Sequence, residues 1–286
     1  MKSGLIALAG RPNVGKSTIV NAVCGEKIAI VSDKPQTTRR RISGVWSDGD
    51  HQLVLVDLPG FQRPRDAMTE RMQKTVDASF EEIDGIVFVV AADEPVGGGD
   101  EFVARRVFAT GTPVVIVVNK TDRVRASKIA QQIDRVAKLG DFHALHPVSA
   151  KSGDGIEPLR DELVRLLPEG PALFPPDVVT DQTLDERVAE LLREQALHVT
   201  RQEIPHAVGV QIIEADERRI RAVILVETES QKRIVVGAGG SVIKEIGSKA
   251  RHEIEKLLGR SVYLDVRVKV REGWRQDLEQ LRRLGI

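Results

Sequence analysis

Nine residues near the amino terminus, Gly10-Arg11-Pro12-Asn13-Val14-Gly15-Lys16-Ser17-Thr18, fit the spacing GxxxxGK(S/T), which suits a loop that holds polyphosphate. Gly10 and Gly15 let the backbone fold back so that successive N–H groups point inward, and a following helix adds the positive end of its dipole. In such a loop Lys16 reaches the β- and γ-phosphates, and the Ser17 hydroxyl joins the shell of a Mg²⁺ ion held between them. Asn13 has two readings: it helps hold a monovalent cation such as K⁺ beside the phosphates, or it only stabilises the turn.

Three further motifs follow in order. Asp57-Leu58-Pro59-Gly60 fits DxxG, in which the carboxylate binds Mg²⁺ through water and the Gly60 N–H meets the γ-phosphate. Between the two phosphate motifs lies Pro35-Gln36-Thr37-Thr38-Arg39, where Thr38, with Thr37 as the alternative, completes the metal shell when a γ-phosphate is present. Asn119-Lys120-Thr121-Asp122 fits NKxD, and Ser149-Ala150-Lys151 ends another strand-like run. Asp122 can accept from N1–H and the exocyclic amine of guanine, whereas adenine presents an acceptor at N1 and no amine at C2. A wrong base leaves the carboxylate unpaired, a mismatch that supports strong discrimination. Lys120 lays its stem beside the ring, and the Ala150 N–H donates to the guanine carbonyl. These motifs point to GTP and GDP and away from ATP. GTPases of the Ras kind place a glutamine directly after DxxG to orient water; here Phe61 stands there. Lys16, Thr38 and Gly60 are therefore the catalytic candidates. Intrinsic hydrolysis is expected to be slow, with missing parts supplied in trans at gains of about 10³ to 10⁵.

The elements needed to position these residues are those of an α/β domain. Leu5 to Ala9 reads as a buried strand before the loop, and Thr18 to Cys24 as the helix after it. Arg41 to Ser47 and His51 to Asp57 read as strands joined by Asp48-Gly49, a hairpin turn. Gly85 to Ala92, Pro113 to Val118 and His143 to Val148 are apolar runs of the kind found in parallel strands buried on both faces. With 286 residues, two domains are expected. The proline-rich stretch from Leu167 to Asp177 marks their boundary: residues 1–170 for the nucleotide domain, 171–182 for a linker, and 183–286 for a second domain ending in a helix.

The second part has the order α-β-β-α-α-β: a helix over Leu184 to Val199, strands over Ala207 to Glu214 and Ile220 to Glu227, a short helical turn over Gln231 to Val236, a helix over Val242 to Leu258 and a strand over Val262 to Val270. Between its last two helices lies Gly237-Ala238-Gly239-Gly240. A GxxG turn of this kind, beside a sheet, clamps about four single-stranded nucleotides in KH domains, with Arg233, Lys244, Lys249 and Arg251 as counter-charge. The bland alternative is a tight turn with a solvated helix face. Lys plus Arg equal Asp plus Glu overall, but from Lys232 to Ile286 there are 13 Lys and Arg against 7 Asp and Glu, so the carboxyl-terminal part is basic. The single cysteine, Cys24, excludes an internal disulfide, and the six histidines lack ligand spacing. No run is long enough to span a bilayer, and the short apolar start lacks a cleavage site. The expectation is a soluble, intracellular protein.

With GRPNVGKST, PQTTR, DLPG, NKTD and SAK followed by FPPDVVTD, EIPHAV and VVGAGGSVIKEIGSKAR, the chain resembles the Era family of bacterial GTPases from near its first residue to Gly285. The resemblance implies a P-loop GTPase domain with a carboxyl-terminal α+β type II KH domain. It implies a role in assembly of the 30S ribosomal subunit, with the KH domain on single-stranded RNA near the 3′ end of 16S ribosomal RNA. It also implies a monomer, cytoplasmic, with peripheral association with the inner membrane. Two features depart from the family pattern: Leu58 stands where threonine is usual, and Ala238 and Gly239 provide no lysine within GxxG. The RNA contact would then rest on backbone N–H groups and neighbouring basic side chains. The alternative from another class is a membrane-associated signalling GTPase whose basic carboxyl-terminal region contacts lipid head groups. A GTP-dependent RNA-modifying enzyme is disfavoured, because no cysteine or histidine constellation lies outside the nucleotide motifs.

Overall fold

The computed structural model describes residues 1–34, 36–61, 64–200 and 207–286. It contains two compact units, Met1–Ala29 with Thr38–Arg63 and Met72–Asp181, and Ile30–Thr37 with Pro64–Arg71 and Gln182–Ile286. Two short excursions of the first half of the chain thus belong to the second unit. Pro35 and the Glu203 to His206 part of the EIPHAV segment lie outside the described residues.

In the first unit β1 (Lys2–Ala9), β3 (His51–Asp57), β4 (Gly85–Ala91), β5 (Val114–Asn119) and β6 (Ala144–Pro147) run parallel, and β2 (Ile42–Ser47) pairs antiparallel with β3. The sheet order is β2-β3-β1-β4-β5-β6. β4 and β5 are buried along their whole length and rich in valine, as strands covered by helices on both faces must be. One face packs on α1 (Lys16–Cys24) and α5 (Ile156–Leu166), the other on Val76 of α2 (Ala67–Ser79), on α3 (Gly98–Phe108) and on the last turn of α4 (Ala126–Val136). The register sets Leu8 opposite Asp57, Ala9 opposite Phe88 and Ala91 opposite Asn119. The carboxyl ends of these strands therefore share one edge, where ligands bind in open α/β sheets. The Asp48-Gly49 hairpin forms as expected, with the Asp48 carboxylate accepting from the N–H groups of Asp50 and His51.

The proline-rich stretch is ordered against this unit. Ser3 Oγ donates to the Pro171 carbonyl, the Gln52 side chain accepts from the Leu173 and Phe174 N–H groups and donates to the Phe174 carbonyl, and Val45 N–H donates to Val179. Asp181 then takes both the N–H and the hydroxyl of Ser43. The segment covers the open edge of β2, which would otherwise present unpaired backbone groups.

The second unit contains α6 (Leu184–Val199), β7 (Gly209–Ala215), β8 (Arg219–Val226), α7 (Glu229–Val236), α8 (Ser241–Leu258), β9 (Tyr263–Val270) and α9 (Leu278–Arg283). Its sheet has the order β7-β8-β9, antiparallel then parallel. Leu192 and Ala196 of α6 and Ile246, Ala250 and Ile254 of α8 form its core with Ala222, Ile224 and Val226 of β8. α7 is longer than the turn expected from Gln231, because Thr228 and Gln231 form a capping box that starts the helix two residues earlier. Among the described residues no helix is long and apolar enough to cross a membrane.

Candidate functional site

The loop after β1 has the conformation that its glycines allow. Gly15 has φ 99°, and a Cβ there would lie 2.1 Å from the Asn119 amide nitrogen, so only glycine fits. Lys16, 6% exposed, donates to the carbonyls of Gly10 and Arg11 at 3.4 and 3.3 Å, folded over the loop where phosphate oxygens would replace those weak contacts. The Arg11 side chain turns away to Asp100 and Glu94 at 2.8 and 3.1 Å, leaving its backbone to line the loop. Val14 is buried in the core. Asn13 projects to the surface with φ 65°, Pro12 packs beside Gly60, and Thr18 is half-buried on α1.

Ser17, Thr38 and Asp57 converge. Ser17 Oγ donates to Asp57 Oδ2 at 2.6 Å, the two hydroxyls lie 3.0 Å apart, and Thr38 Oγ1 donates to the same carboxylate oxygen at 3.1 Å. Thr37, the alternative, instead donates its hydroxyl to the Lys34 carbonyl. Asp57 is fully buried, and among the described residues its Oδ1 lacks a hydrogen-bond partner, a condition that normally has a missing ligand or water behind it. Burial pushes the Asp57 carboxyl up, against the pull of Lys16, Ser17 and Thr38, and burial likewise pushes Lys16 down against the pull of Asp57. Two hydroxyls and one carboxylate are hard oxygen donors that suit Mg²⁺ supplemented by phosphate oxygens and water. Among the described residues no three His, Cys, Asp or Glu side chains group to hold a metal unaided, so the phosphates have to supply much of the shell.

Phe61 is turned into the core. It is 5% exposed, stacks on Phe80 at 5.8 Å and carries the Arg106 guanidinium 5.6 Å from its ring. Leu58 is fully buried on the same side of the sheet, so neither residue is placed to orient water; Pro59 is buried as well, and Gly60 is half-buried against Pro12.

At the proposed base end Asp122 is exposed, and Ser149 Oγ donates to its Oδ1 at 2.8 Å, which orients the carboxylate. Lys120 Nζ is anchored 3.5 Å from Asp93, which fixes its stem beside the place of a ring, and Lys151 is exposed at the rim. The turn that carries Ala150 is tied to the phosphate loop through Asn119. The Ala150 N–H, expected to meet the guanine carbonyl, donates to Asn119 Oδ1 at 3.1 Å, and Asn119 Nδ2 donates to Val14 O at 2.9 Å. Asn119 is a buried clamp that ties the phosphate loop to the Ser149-Ala150-Lys151 turn, and its buried amide has to satisfy both ends.

The second unit carries a groove of about 340 Å³ between α8 and β9. Lys244 and Arg251 line it, with Gly247, Ser248, Tyr263 and Asp265. Gly237, which ends α7, has φ 73° and ψ 171°, and the chain turns through left-handed Gly239 (φ 58°, ψ 20°) and Gly240 (φ 79°, ψ 15°) into α8. Arg233 is exposed on the last turn of α7, whereas Lys249 lies outside the groove and is paired with Glu245 at 2.7 Å. The sequence reading missed Tyr263. The one tyrosine in the chain is 63% exposed, with Arg219 5.6 Å from its ring; its outward place in the alternation of β9 was the available signal.

The chain matches two family models, one of a 50S ribosome-binding GTPase over residues 5–120 and one of a KH domain over residues 203–275. Fold and site together define a P-loop GTPase joined to a KH domain. GTPase Era of Staphylococcus haemolyticus is 43% identical over 289 residues, covering 99% of this chain and 97% of that protein. A crystal structure of Era in complex with MgGDPNP and nucleotides 1506–1542 of 16S ribosomal RNA superposes with a TM-score of 0.95 at 37% identity, covering 100% of this chain and 99% of that one. A variant of Aquifex aeolicus Era bound to GDP and AlF4⁻ gives the same values. The chain belongs to the Era family of GTPases.

Proposed function

We propose that this GTPase is a switch that binds single-stranded RNA near the 3′ end of 16S ribosomal RNA and acts in 30S subunit assembly. The observation that carries the reading is the presence in one chain of a Ser17, Thr38 and Asp57 oxygen cluster beside the phosphate loop and a basic groove next to a GxxG turn. The Era complex with MgGDPNP and a 16S fragment supports it at 37% identity over the whole chain.

In this reading the loop N–H groups and Lys16 hold the β- and γ-phosphates, and Asp122 reads the guanine edge. Ser17, Thr38 and Asp57 would hold Mg²⁺, which when bound would supply positive charge against the transferred phosphoryl group. Thr38 reaches the cluster only while the segment before it is in place, and the Gly60 N–H faces the γ-phosphate. Hydrolysis removes what orders both. Phe61 is packed away, so the attacking water is oriented by backbone or by a group supplied from outside the chain. K⁺ beside Asn13 is a further part of the proposal.

On the RNA side, Gly237 to Gly240 let a backbone approach, Lys244 and Arg251 offer positive charge along the groove, and Arg233 extends it. We place this work in the cytoplasm, with contact to the inner-membrane surface as a secondary association. The test is binding of a short RNA carrying the 3′ end of 16S ribosomal RNA, a scrambled RNA and anionic vesicles at two salt concentrations. The expected result is tight binding to the first RNA alone, with a modest salt slope. Equal, steeply salt-sensitive binding to both RNAs would reduce the groove to a sensor of phosphate charge, and preference for vesicles would favour the lipid-contact reading.

A further inference from the structure

The run Gly97-Gly98-Gly99 and the aspartate after it belong to none of the phosphate and base motifs, yet within the first unit they meet the phosphate loop. Asp100 is the third residue of α3 and is 1% exposed. Its two oxygens have different partners. Oδ2 accepts from the Gly97 N–H at 3.0 Å, the backward reach by which a residue in the first turn satisfies a backbone donor at the helix start. Oδ1 accepts from Arg11 Nε at 2.8 Å, and Glu94 takes Arg11 Nη2 at 3.1 Å. Glu94 is backed in turn by Gln132, 3% exposed, whose amide donates to the carbonyls of Glu94 at 2.7 Å and Ala91 at 3.0 Å. A cap needs one oxygen and no cation, so capping alone leaves the arginine unexplained.

The glycines make room for it. A Cβ on Gly99 would lie 2.6 Å from Arg11 Cδ, whereas among the described residues a Cβ on Gly97 or Gly98 would meet nothing within 4 Å. The Arg11 carbonyl in turn accepts from Lys16 Nζ at 3.3 Å. On either side of Arg11 the loop is already fixed. A Cβ on Gly10 would meet the Val89 carbonyl at 2.6 Å, which presses that residue against β4, and Asn119 holds the far end through the Val14 carbonyl. Arg11 is fixed between them by its side chain. Releasing it would leave the Asp100 carboxylate buried without its cation, which is strongly unfavourable.

We infer that Asp100 is a positioning residue for GTP binding and turnover: by holding the Arg11 side chain from the start of α3 it fixes the Arg11 carbonyl, and with it the place of Lys16 at the β- and γ-phosphates. Gly99 is the residue that lets Arg11 reach it. The inference rests on the assignment of residues 10–18 as the phosphate loop.

The test uses the full chain as Asp100→Asn, Arg11→Met, their double variant, Arg11→Lys and Gly99→Ala. Melting temperature, affinity for GDP and for a GTP analogue, and kcat and KM with Mg²⁺ are measured for each. Asp100→Asn keeps an oxygen for the Gly97 N–H and turns an amide toward Arg11, so the cap survives and the grip is lost. Its melting temperature should change little, while both nucleotides bind about 10-fold more weakly and kcat falls by about 10-fold, as for a displaced reacting group. Arg11→Met should match it, and the double variant should be no worse than the poorer single one, the signature of two residues acting as a pair. Arg11→Lys, which keeps a cation toward Asp100, should recover part of the loss. Gly99→Ala adds helix propensity to α3 but pushes the arginine stem aside, so stability is kept while affinity and kcat fall by a few-fold. Wild-type affinities and kcat in folded Asp100→Asn, or in Gly99→Ala if the former does not fold, would overturn the inference, as would additive losses in the double variant. Lys16→Ala tests the loop assignment separately. Wild-type affinity and turnover there would remove that assignment and the inference with it, whereas lost binding there upholds the assignment whatever Asp100→Asn does.

Discussion

In the proposed site the choice of nucleotide turns on Asp122. One carboxylate oxygen accepts from Ser149 Oγ at 2.8 Å, which orients the carboxylate, and an acceptor pair of this kind would read two donors on the base. Asp122→Asn, which puts a donating amide in place of one acceptor oxygen, should weaken GTP by at least about 100-fold and favour xanthosine triphosphate, whose C2 bears a carbonyl; competition binding of the two nucleotides measures this. Unchanged GTP affinity would move the base elsewhere. Cys24 provides a second check at this scale. Burial, and then Glu26, push its thiol up to about 12, so in the folded protein at pH 8 a thiol reagent should modify it about 10³ times more slowly than an ordinary cysteine, with the rate restored in denaturant. The motif residues were legible because their types and spacing are dictated by phosphate and base. The clamp made by Asn119 was not, since it depends on where Val14 and Ala150 sit in the fold. The inward turn of Phe61 was half legible: an aromatic cannot orient water, but the stacking on Phe80 is a tertiary fact.

At the scale of elements, most strands and helices followed from period and from Gly, Pro and Asp punctuation, and α6 spans Leu184–Val199 as expected. The proline-rich stretch did not follow. Its composition suggests a free linker, yet Gln52, 1% exposed, takes two of its N–H groups and donates to one of its carbonyls. No local rule marks a glutamine on a neighbouring strand as the anchor for a segment some 120 residues away. Gln52→Ala should lower stability by about 1 to 3 kcal/mol in urea unfolding, since it orphans buried backbone groups, and should make the stretch from residue 171 to 177 an early site of proteolysis. Gly237 tests the other unit. Its φ of 73° and ψ of 171° belong to a region essentially reserved for glycine, and a Cβ would meet the Val242 N–H group at 2.8 Å. Gly237→Ala should therefore cost about 1 to 3 kcal/mol and abolish RNA binding, while GTP affinity is retained.

At the scale of the whole molecule, a chain with no net charge has a basic carboxyl-terminal part, which favours encounter with an anionic polymer without specifying one. Specificity and control have to come from the groove and from the nucleotide. In the proposed switch, control means that nucleotide and RNA bias the same equilibrium between two states. A ligand shifts such an equilibrium only by its differential affinity for the two states. The decisive measurement is accordingly the dissociation constant of the 16S 3′-end RNA for the wild-type protein loaded with Mg²⁺ and a GTP analogue and then with GDP, in the same buffer. A nucleotide-controlled switch predicts a ratio of about 5- to 150-fold in favour of the GTP analogue, the usual range of coupling between two sites. Equal dissociation constants would contradict it.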